Sequence, residues 1–126
     1  ISPKSNVSHL ATIHDGTIIA VFCSIQANAR IGQNVSVNSA SIIGHDSVVS
    51  NNAVISSMVN LGGAAFVGSG TFIGMGTLVK EGVKIGKSSI VGMGSVVYHD
   101  VPDNVIALGN PTRVVRRNKQ NKVFGK

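Results

Sequence analysis

The dipeptide His45-Asp46 has the residue types of an acid–base site. It lies in the run Ile42-Ile43-Gly44-His45-Asp46, just past a glycine. An imidazole that is largely neutral near pH 7 can take a proton from an attacking amine or hydroxyl. The adjacent carboxylate could orient that imidazole or raise its basicity. On periodicity alone a solvated turn histidine is the simpler interpretation, so both interpretations stay open at this point.

The residues around this dipeptide follow a six-residue repeat. A Val, Ile or Leu recurs every six positions without insertion or deletion, with a small residue two places before it and often a glycine after it. The sixteen aliphatic positions are Val7, Ile13, Ile19, Ile25, Ile31, Val37, Ile43, Val49, Ile55, Leu61, Val67, Ile73, Val79, Ile85, Val91 and Val97. This period is typical of a parallel β-helix.

Three six-residue units would close one triangular coil of eighteen residues, with the aliphatic side chains pointing inward. Sixteen units give about five coils, a prism roughly 25 Å tall at about 4.8 Å per coil. An α-helix is excluded because a period of six places successive aliphatic residues on different sides of it, and glycine is too frequent.

The glycines suggest tight turns and a surface for a ligand. Glycine after the aliphatic residue suits a turn that has no room for a β-carbon. Gly62-Gly63, Gly74-Met75-Gly76 and Gly92-Met93-Gly94 predict a strip along the prism where a ligand could reach backbone N–H groups. Turns that need glycine would explain each of them singly.

Three of the four histidines share one phase of the coil. His9 and His99 are 36 and 54 residues from His45, both multiples of eighteen, so neighbouring histidines of this column would be roughly 10–14 Å apart. That distance is too large for one chain to build a three-histidine zinc site. We therefore predict no metal site within the chain. His9, His14 and His99 are interpreted as surface residues.

The repeat ends after Val97, which divides the chain into a β-helix of residues 1–98 and a C-terminal part of residues 99–126. Pro102 lies in a turn and cannot donate to a sheet ladder. Val105 to Pro111 is predicted to be a loop that folds back over the last coil, since an open end needs a cover. The remainder is predicted to form a short basic helix or to fray.

The net charge of +6 is concentrated at the C-terminus, because residues 1–112 contain five bases and five acids. The bases of this tail are Arg113, Arg116, Arg117, Lys119, Lys122 and Lys126. A basic tail can contact nucleic acid, a membrane surface or a phosphorylated small molecule, or simply be solvated.

The sequence contains neither a membrane span nor a signal peptide. The single Cys23 excludes an internal disulfide and fits a reducing compartment, and its place among the small residues of the repeat predicts a buried thiol. We therefore expect a cytoplasmic protein that binds neither membranes nor nucleic acid. The repeat is already under way at Val7, which suggests that an N-terminal domain is absent from this chain.

The repeat, the run Ile43-Gly-His-Asp46 and the ending Asp100-Val-Pro-Asp-Asn-Val-Ile-Ala-Leu-Gly-Asn-Pro-Thr-Arg113 together resemble the left-handed β-helix acyltransferases. Within them the sequence is most similar to the sialic acid O-acetyltransferase and UDP-4-amino-sugar N-acetyltransferase family, over about residues 3–116. The resemblance implies an all-β left-handed parallel β-helix with a C-terminal capping loop and a basic tail.

The resemblance also implies a homotrimer that transfers acetyl from acetyl-CoA to a sugar amine or hydroxyl in bacterial surface-glycan synthesis. Acetyl-CoA would lie in the cleft between neighbouring prisms, with His45 as the general base and Asp46 increasing its basicity. The acceptor, a sugar or nucleotide-sugar, would attack the thioester directly. The positions that the resemblance places at the cofactor are Val54, Gly63, Gly74, Met75, Gly92 and Met93.

Three features depart from the family. Val54 stands where members often have a second histidine near the thioester, and Gly44 stands where the residue before the catalytic histidine is often acidic. The family's N-terminal nucleotide-sugar domain has no counterpart in this chain. Two other classes stay open: a metalloenzyme like the γ-carbonic anhydrases, with a metal between subunits, and a non-catalytic trimeric scaffold.

Overall fold

The computed structural model describes residues 1–119, which form the predicted left-handed parallel β-helix. Strands β1 to β16 have two residues each: β1 (Asn6–Val7), β2 (Thr12–Ile13), β3 (Ile18–Ile19), β4 (Ser24–Ile25), β5 (Arg30–Ile31), β6 (Ser36–Val37), β7 (Ile42–Ile43), β8 (Val48–Val49), β9 (Val54–Ile55), β10 (Asn60–Leu61), β11 (Phe66–Val67), β12 (Phe72–Ile73), β13 (Leu78–Val79), β14 (Lys84–Ile85), β15 (Ile90–Val91) and β16 (Val96–Val97). The second residue of each strand is the aliphatic residue of the repeat, which confirms the predicted register. No helix occurs in residues 1–119, hence none that is long and apolar enough to cross a membrane.

The strands stack into three sheets, which are the faces of the prism. Face A contains β1, β4, β7, β10, β13 and β16, face B contains β2, β5, β8, β11 and β14, and face C contains β3, β6, β9, β12 and β15. Each strand from β1 to β13 pairs in parallel with the strand eighteen residues later, as Ile43 pairs with Leu61. A residue at a corner therefore lies over the residue eighteen positions further along the chain. The corners are named by the faces that they join: A–B, B–C and C–A.

The aliphatic residues of the repeat fill the interior. Ile43, Ile55 and Ile73 are fully buried, and only the first coil, with Val7 and Ile13, is partly open. Stacked branched side chains exclude water from a narrow core that has no aromatic residue in it. Apolar burial along the whole prism thus supplies the main stabilising free energy.

The small residues of the repeat lie inside the corners. Ser41 and Ser47 are fully buried, and their hydroxyls donate to the carbonyl oxygens of Ser56 (2.7 Å) and Gly62 (2.9 Å) in the next coil. A larger side chain would not fit there, and an unpaired hydroxyl would be costly. Cys23 occupies the same kind of position as a buried free thiol, as predicted.

The glycines after the aliphatic residues leave no room for a β-carbon, as the sequence suggested, and the reason is the stacking of the coils. Left-handed backbone occurs two positions later in each turn, at residues such as Asp46 (φ 60°) and Ala64 (φ 59°), and not at Gly44 or Gly62. A β-carbon on Gly44 would lie 2.6 Å from the carbonyl oxygen of Leu61. Glycine is required at this position because consecutive coils approach closely.

The C-terminal part is a hairpin where the sequence predicted a loop. β17 (Val105–Gly109) pairs in parallel with β15 and extends face C, and β18 (Thr112–Arg117) runs antiparallel to β17. The predictions of a loop over residues 105–109 and of a helix or fraying over 112–117 are therefore wrong. The backbone N–H and C=O groups at the open edge of β15 form hydrogen bonds with β17, which a loop cannot provide.

Two inward side chains and one amide hold this hairpin on the prism. Val105 and Ala107 are buried, and the side-chain amide of Asn118 donates to the carbonyl oxygen of Ser88 at 3.0 Å. The last bases of the predicted tail, Lys122 and Lys126, lie outside the described residues.

Leu61→Ala should lower the free energy of unfolding by about 2–5 kcal/mol, because the side chain is buried on face A and its removal leaves a cavity. Leu10→Ala removes the same atoms from a leucine that is 54% exposed and should cost less than about 0.5 kcal/mol. Urea unfolding followed by circular dichroism measures both. Equal losses would contradict the assignment of the core.

Candidate active site

The turn at the A–B corner between β7 and β8 presents His45 and Asp46 to solvent. Gly44 is buried against the next coil, the chain turns at His45 and Asp46, and Ser47 is buried again. The side chains of His45 and Asp46 are 64% and 57% exposed. The repeat thus fixes the turn between two buried residues and leaves two adjacent polar side chains free for chemistry.

The two side chains are joined by a hydrogen bond. Nδ1 of His45 lies 3.0 Å from Oδ2 of Asp46. A carboxylate only accepts hydrogen bonds, so Nδ1 carries the proton of the neutral ring and Nε2 has a free lone pair. The pair therefore has the tautomer that a general base acting through Nε2 needs.

Two hydrogen bonds to the previous coil hold the main chain of the turn. The N–H of His45 donates to Oε1 of Gln26 at 3.1 Å, and the N–H of Asp46 donates to the carbonyl oxygen of Ala27 at 3.0 Å. On the other side the imidazole lies directly over Gly63 of the next coil. The Gly63 N–H donates no hydrogen bond within the described residues.

The second His-Asp dipeptide, His14-Asp15, does not form such a pair. No hydrogen bond or ion pair joins His14 to Asp15 in residues 1–119. His14 directly follows the aliphatic residue of its unit, whereas His45 is the second residue after its own. The position within the turn, rather than the dipeptide, decides which histidine meets its carboxylate.

The structure places His9 and His99 on the same corner as His45, two and three coils away from it, as the sequence predicted. The described residues contain no group of three His, Cys, Asp or Glu side chains that could hold a metal ion.

The residues predicted to meet a cofactor lie on different parts of the prism. Gly74 and Met75 follow β12, and Gly92 and Met93 follow β15, so these four share the C–A corner. Gly63 lies on the A–B corner, and Val54 lies half-buried on face C with its neighbour Ile55 pointing inward. The prediction that Gly62-Gly63 continues one strip with the other glycines is therefore wrong, because 62 and 74 differ by twelve residues and not by eighteen.

Two exposed methionines mark the C–A corner. Met75 and Met93 are 46% and 69% exposed and stand eighteen residues apart, one above the other. Behind them Gly74 is buried, and a β-carbon there would lie 2.5 Å from the backbone nitrogen of Met93. Tight coil packing thus explains this glycine, and the methionines form an apolar ridge.

A polar groove of about 400 Å³ lies beside Asp46 on the side of face B. Its polar lining comes from Thr12, Asn28, Arg30 and Asp46. Sequence reasoning did not single out Arg30, although it is the one base between residues 5 and 79.

Asp46→Asn should change the tautomer of His45, because the amide can donate to Nδ1 and no longer enforces a proton there. Asparagine tolerates left-handed backbone, so the turn should persist. Long-range ¹H–¹⁵N correlation spectra at about pH 8.5, where ordinary imidazoles are neutral, report which ring nitrogen is protonated. The matched change Asp15→Asn should leave His14 as it is, and an unaltered His45 spectrum in Asp46→Asn would refute the pairing.

Two family models match the chain. The bacterial transferase hexapeptide (six repeats) matches residues 64–99, and the hexapeptide repeat of succinyl-transferase matches residues 23–57. No curated protein sequence matches the chain at a significant level.

Solved structures superpose on most of the chain. Perosamine N-acetyltransferase from Caulobacter crescentus, as a mutant in complex with CoA and GDP-perosamine, is 31% identical with a TM-score of 0.88 over 90% of this chain and 54% of its own. The acetyltransferase domain of PglB from Neisseria gonorrhoeae, in complex with acetyl coenzyme A, is 28% identical with a TM-score of 0.87 over 90% and 55%. A galactoside acetyltransferase in complex with coenzyme A is 27% identical with a TM-score of 0.79 over 86% and 65%.

The chain spans little more than half the length of the first two of these structures. The repeat register, the three-faced prism and the matches on both halves of the chain agree with one another. The chain therefore has the hexapeptide repeats that occur in bacterial transferases, folded as a left-handed parallel β-helix.

Proposed function

We propose that this protein is an acetyl-CoA-dependent acetyltransferase whose acceptor is the amine or hydroxyl of a sugar or nucleotide-sugar, in bacterial surface-glycan synthesis. The observation that carries the proposal is the His45–Asp46 pair, which leaves Nε2 unprotonated where a β-carbon on Gly63 would be. The N–H of Gly63 makes no hydrogen bond within residues 1–119. Similar structures that hold CoA or acetyl coenzyme A support the choice of co-substrate.

In the proposed reaction Nε2 of His45 accepts the acceptor's proton while the nitrogen or oxygen of the acceptor attacks the thioester carbonyl of acetyl-CoA. The Gly63 N–H is available to donate to the carbonyl oxygen as it becomes negative. Asp46 stabilises the imidazolium through Nδ1–H. The imidazolium then returns the proton to the thiolate of CoA as the C–S bond breaks, so the base is regenerated without an acyl-enzyme.

The proposal places the cofactor between subunits of a homotrimer. His45 lies on the A–B corner and the Met75–Met93 ridge on the C–A corner, so a site that uses both takes one from each of two neighbouring chains. Exposed apolar side chains at the C–A corner and on face C suit burial against a second copy: Ile18, Phe22, Met58, Met75 and Met93. Val54 would then stand near the thioester without a hydrogen-bonding group.

The groove beside Asp46 supports a polar acceptor. Its lining offers the amide of Asn28, the hydroxyl of Thr12 and the guanidinium of Arg30, the kinds of groups that hydrogen-bond sugar hydroxyls and anionic substituents. The similar perosamine N-acetyltransferase, crystallised with GDP-perosamine, makes an amino-sugar nucleotide the first acceptor to test.

His45→Ala should lower kcat for acetyl transfer at least about 10²-fold, the usual contribution of a general base. The side chain is exposed, so the fold and the mass of the assembly should not change. Release of the CoA thiol from acetyl-CoA is measured with GDP-perosamine and a panel of amino-sugar nucleotides. His14→Ala is the control and should keep the wild-type rate. A His45→Ala variant as active as wild type would show that His45 is not the general base.

We also propose that the bases of β18 contact the phosphates of CoA. Three coils separate His45 from His99, which precedes the hairpin, a distance of about 14 Å that an extended pantetheine arm can span. Arg113, Arg117 and Lys119 are exposed at this end of the prism.

The double change Arg113→Ala and Arg117→Ala should weaken CoA binding roughly fivefold, because an exposed ion pair contributes up to about 1 kcal/mol. The affinity for dephospho-CoA, which lacks the 3′-phosphate, should fall less in this variant than the affinity for CoA. Calorimetric titration gives both affinities, and Lys4→Ala, at the opposite end of the prism, is the control. Equal losses for the two ligands would argue against a contact with the 3′-phosphate.

A further inference from the structure

We propose that Gly63 is a positioning residue for His45: glycine occupies this turn because the imidazole of the previous coil lies where a β-carbon would be. The inference rests on the proposed function in taking His45 as the base. It concerns the missing β-carbon of Gly63 and adds to the proposed contact between the Gly63 N–H and the thioester.

The contact between the two residues is direct. An ideal β-carbon on Gly63 would overlap Nε2 of His45 and would lie 2.5 Å from Cε1 and 3.0 Å from Cδ2. All three of the nearest atoms belong to this one imidazole. Gly44, Gly62 and Gly68, in contrast, meet backbone atoms of the next coil.

The turn itself does not require glycine at this position. Gly63 is the second residue after the aliphatic Leu61, and its φ is not positive. The same position in every other unit of the repeat has a side chain: His9, Asp15, Val21, Ala27, Gln33, Ser39, His45, Asn51, Ser57, Ser69, Met75, Glu81, Lys87, Met93 and His99. The one glycine at this position, Gly63, lies eighteen residues after His45 and therefore directly beneath the imidazole ring.

A β-carbon at position 63 would force the ring to move, because the main chain of His45 is held on the other side. Its N–H donates to Gln26, and the next residue is tied to Ala27. A rotated imidazole loses the 3.0 Å contact between Nδ1 and Asp46 and moves Nε2 from its position over Gly63. Gly63 therefore fixes both the direction of the base and its tautomer.

The test is Gly63→Ala in the full chain, with acetyl-CoA and GDP-perosamine as probes. We expect kcat to fall roughly 10²-fold, the effect of about 1 Å misplacement of a reacting group. The calorimetric affinity for acetyl-CoA and the mass of the assembly should stay within twofold of wild type, roughly the scatter of a neutral surface change. The His45 signals in the long-range ¹H–¹⁵N spectrum should lose the pattern of a Nδ1–H ring bonded to Asp46.

Ser69→Ala is the matched control, because it places alanine at the same position of the next turn, where no imidazole lies. It should match wild type in rate and spectrum. In a His45→Ala background, Gly63→Ala should have no further effect on the residual rate, since its effect acts through the ring.

Three results would overturn the proposal: an unaltered rate and spectrum, an equal loss in the His45→Ala background, or a loss of acetyl-CoA affinity in proportion to kcat. The last would mean that the added methyl group acts on the cofactor and not on the imidazole. The spectral readout keeps this test separate from the proposed function, because a displaced His45 ring supports the positioning role, and an undisplaced ring refutes it, even if no acetyl transfer is found.

Discussion

Parallel pairing between coils at a spacing of eighteen residues is the constraint on which the rest of this structure depends. It determines which residue lies over which, from the buried Ile43–Leu61 pair to the exposed corners. It also brings consecutive coils so close that Gly44 and Gly62 have no room for a β-carbon. Buried hydroxyls such as that of Ser47 then hydrogen-bond from one coil to the next. A single period thus sets the core, the corners and the polar links between coils.

The candidate site is a consequence of the same stacking. A turn residue contacts the turn residues of the coils before and after it, so the surroundings of His45 come from Gln26 and Ala27 on one side and from Gly63 on the other. Its carboxylate partner is the next residue in the chain. A rigid scaffold with almost no loops therefore holds an exposed histidine in one orientation, which is the precision that general-base chemistry needs.

One prism supplies only part of the proposed site. The base is on one corner and the methionine ridge on another, and a convex corner cannot by itself exclude water from a thioester. The acceptor-side groove near Arg30 opens on face B, next to the base and away from the ridge. This division among three surfaces is the structural argument for a site completed by a neighbouring copy.

The sequence alone determined a parallel β-helix and its register from Val7 to Val97, because a strict period of six with inward aliphatic residues stacks the chain every eighteen residues. The left-handed sense was implied by the family resemblance. The sequence also placed His45 and Gly63 in one column, although the direction of the ring could not be read from it. The hairpin after Val97 was missed because strand pairing there depends on the open edge of β15, a feature of the assembled prism and not of the local sequence. Two His-Asp steps look alike in the sequence, and only the turn geometry pairs His45 with Asp46 while leaving His14 without Asp15. Side-chain direction depends on contacts between residues eighteen apart, and those contacts exist only in the folded coil.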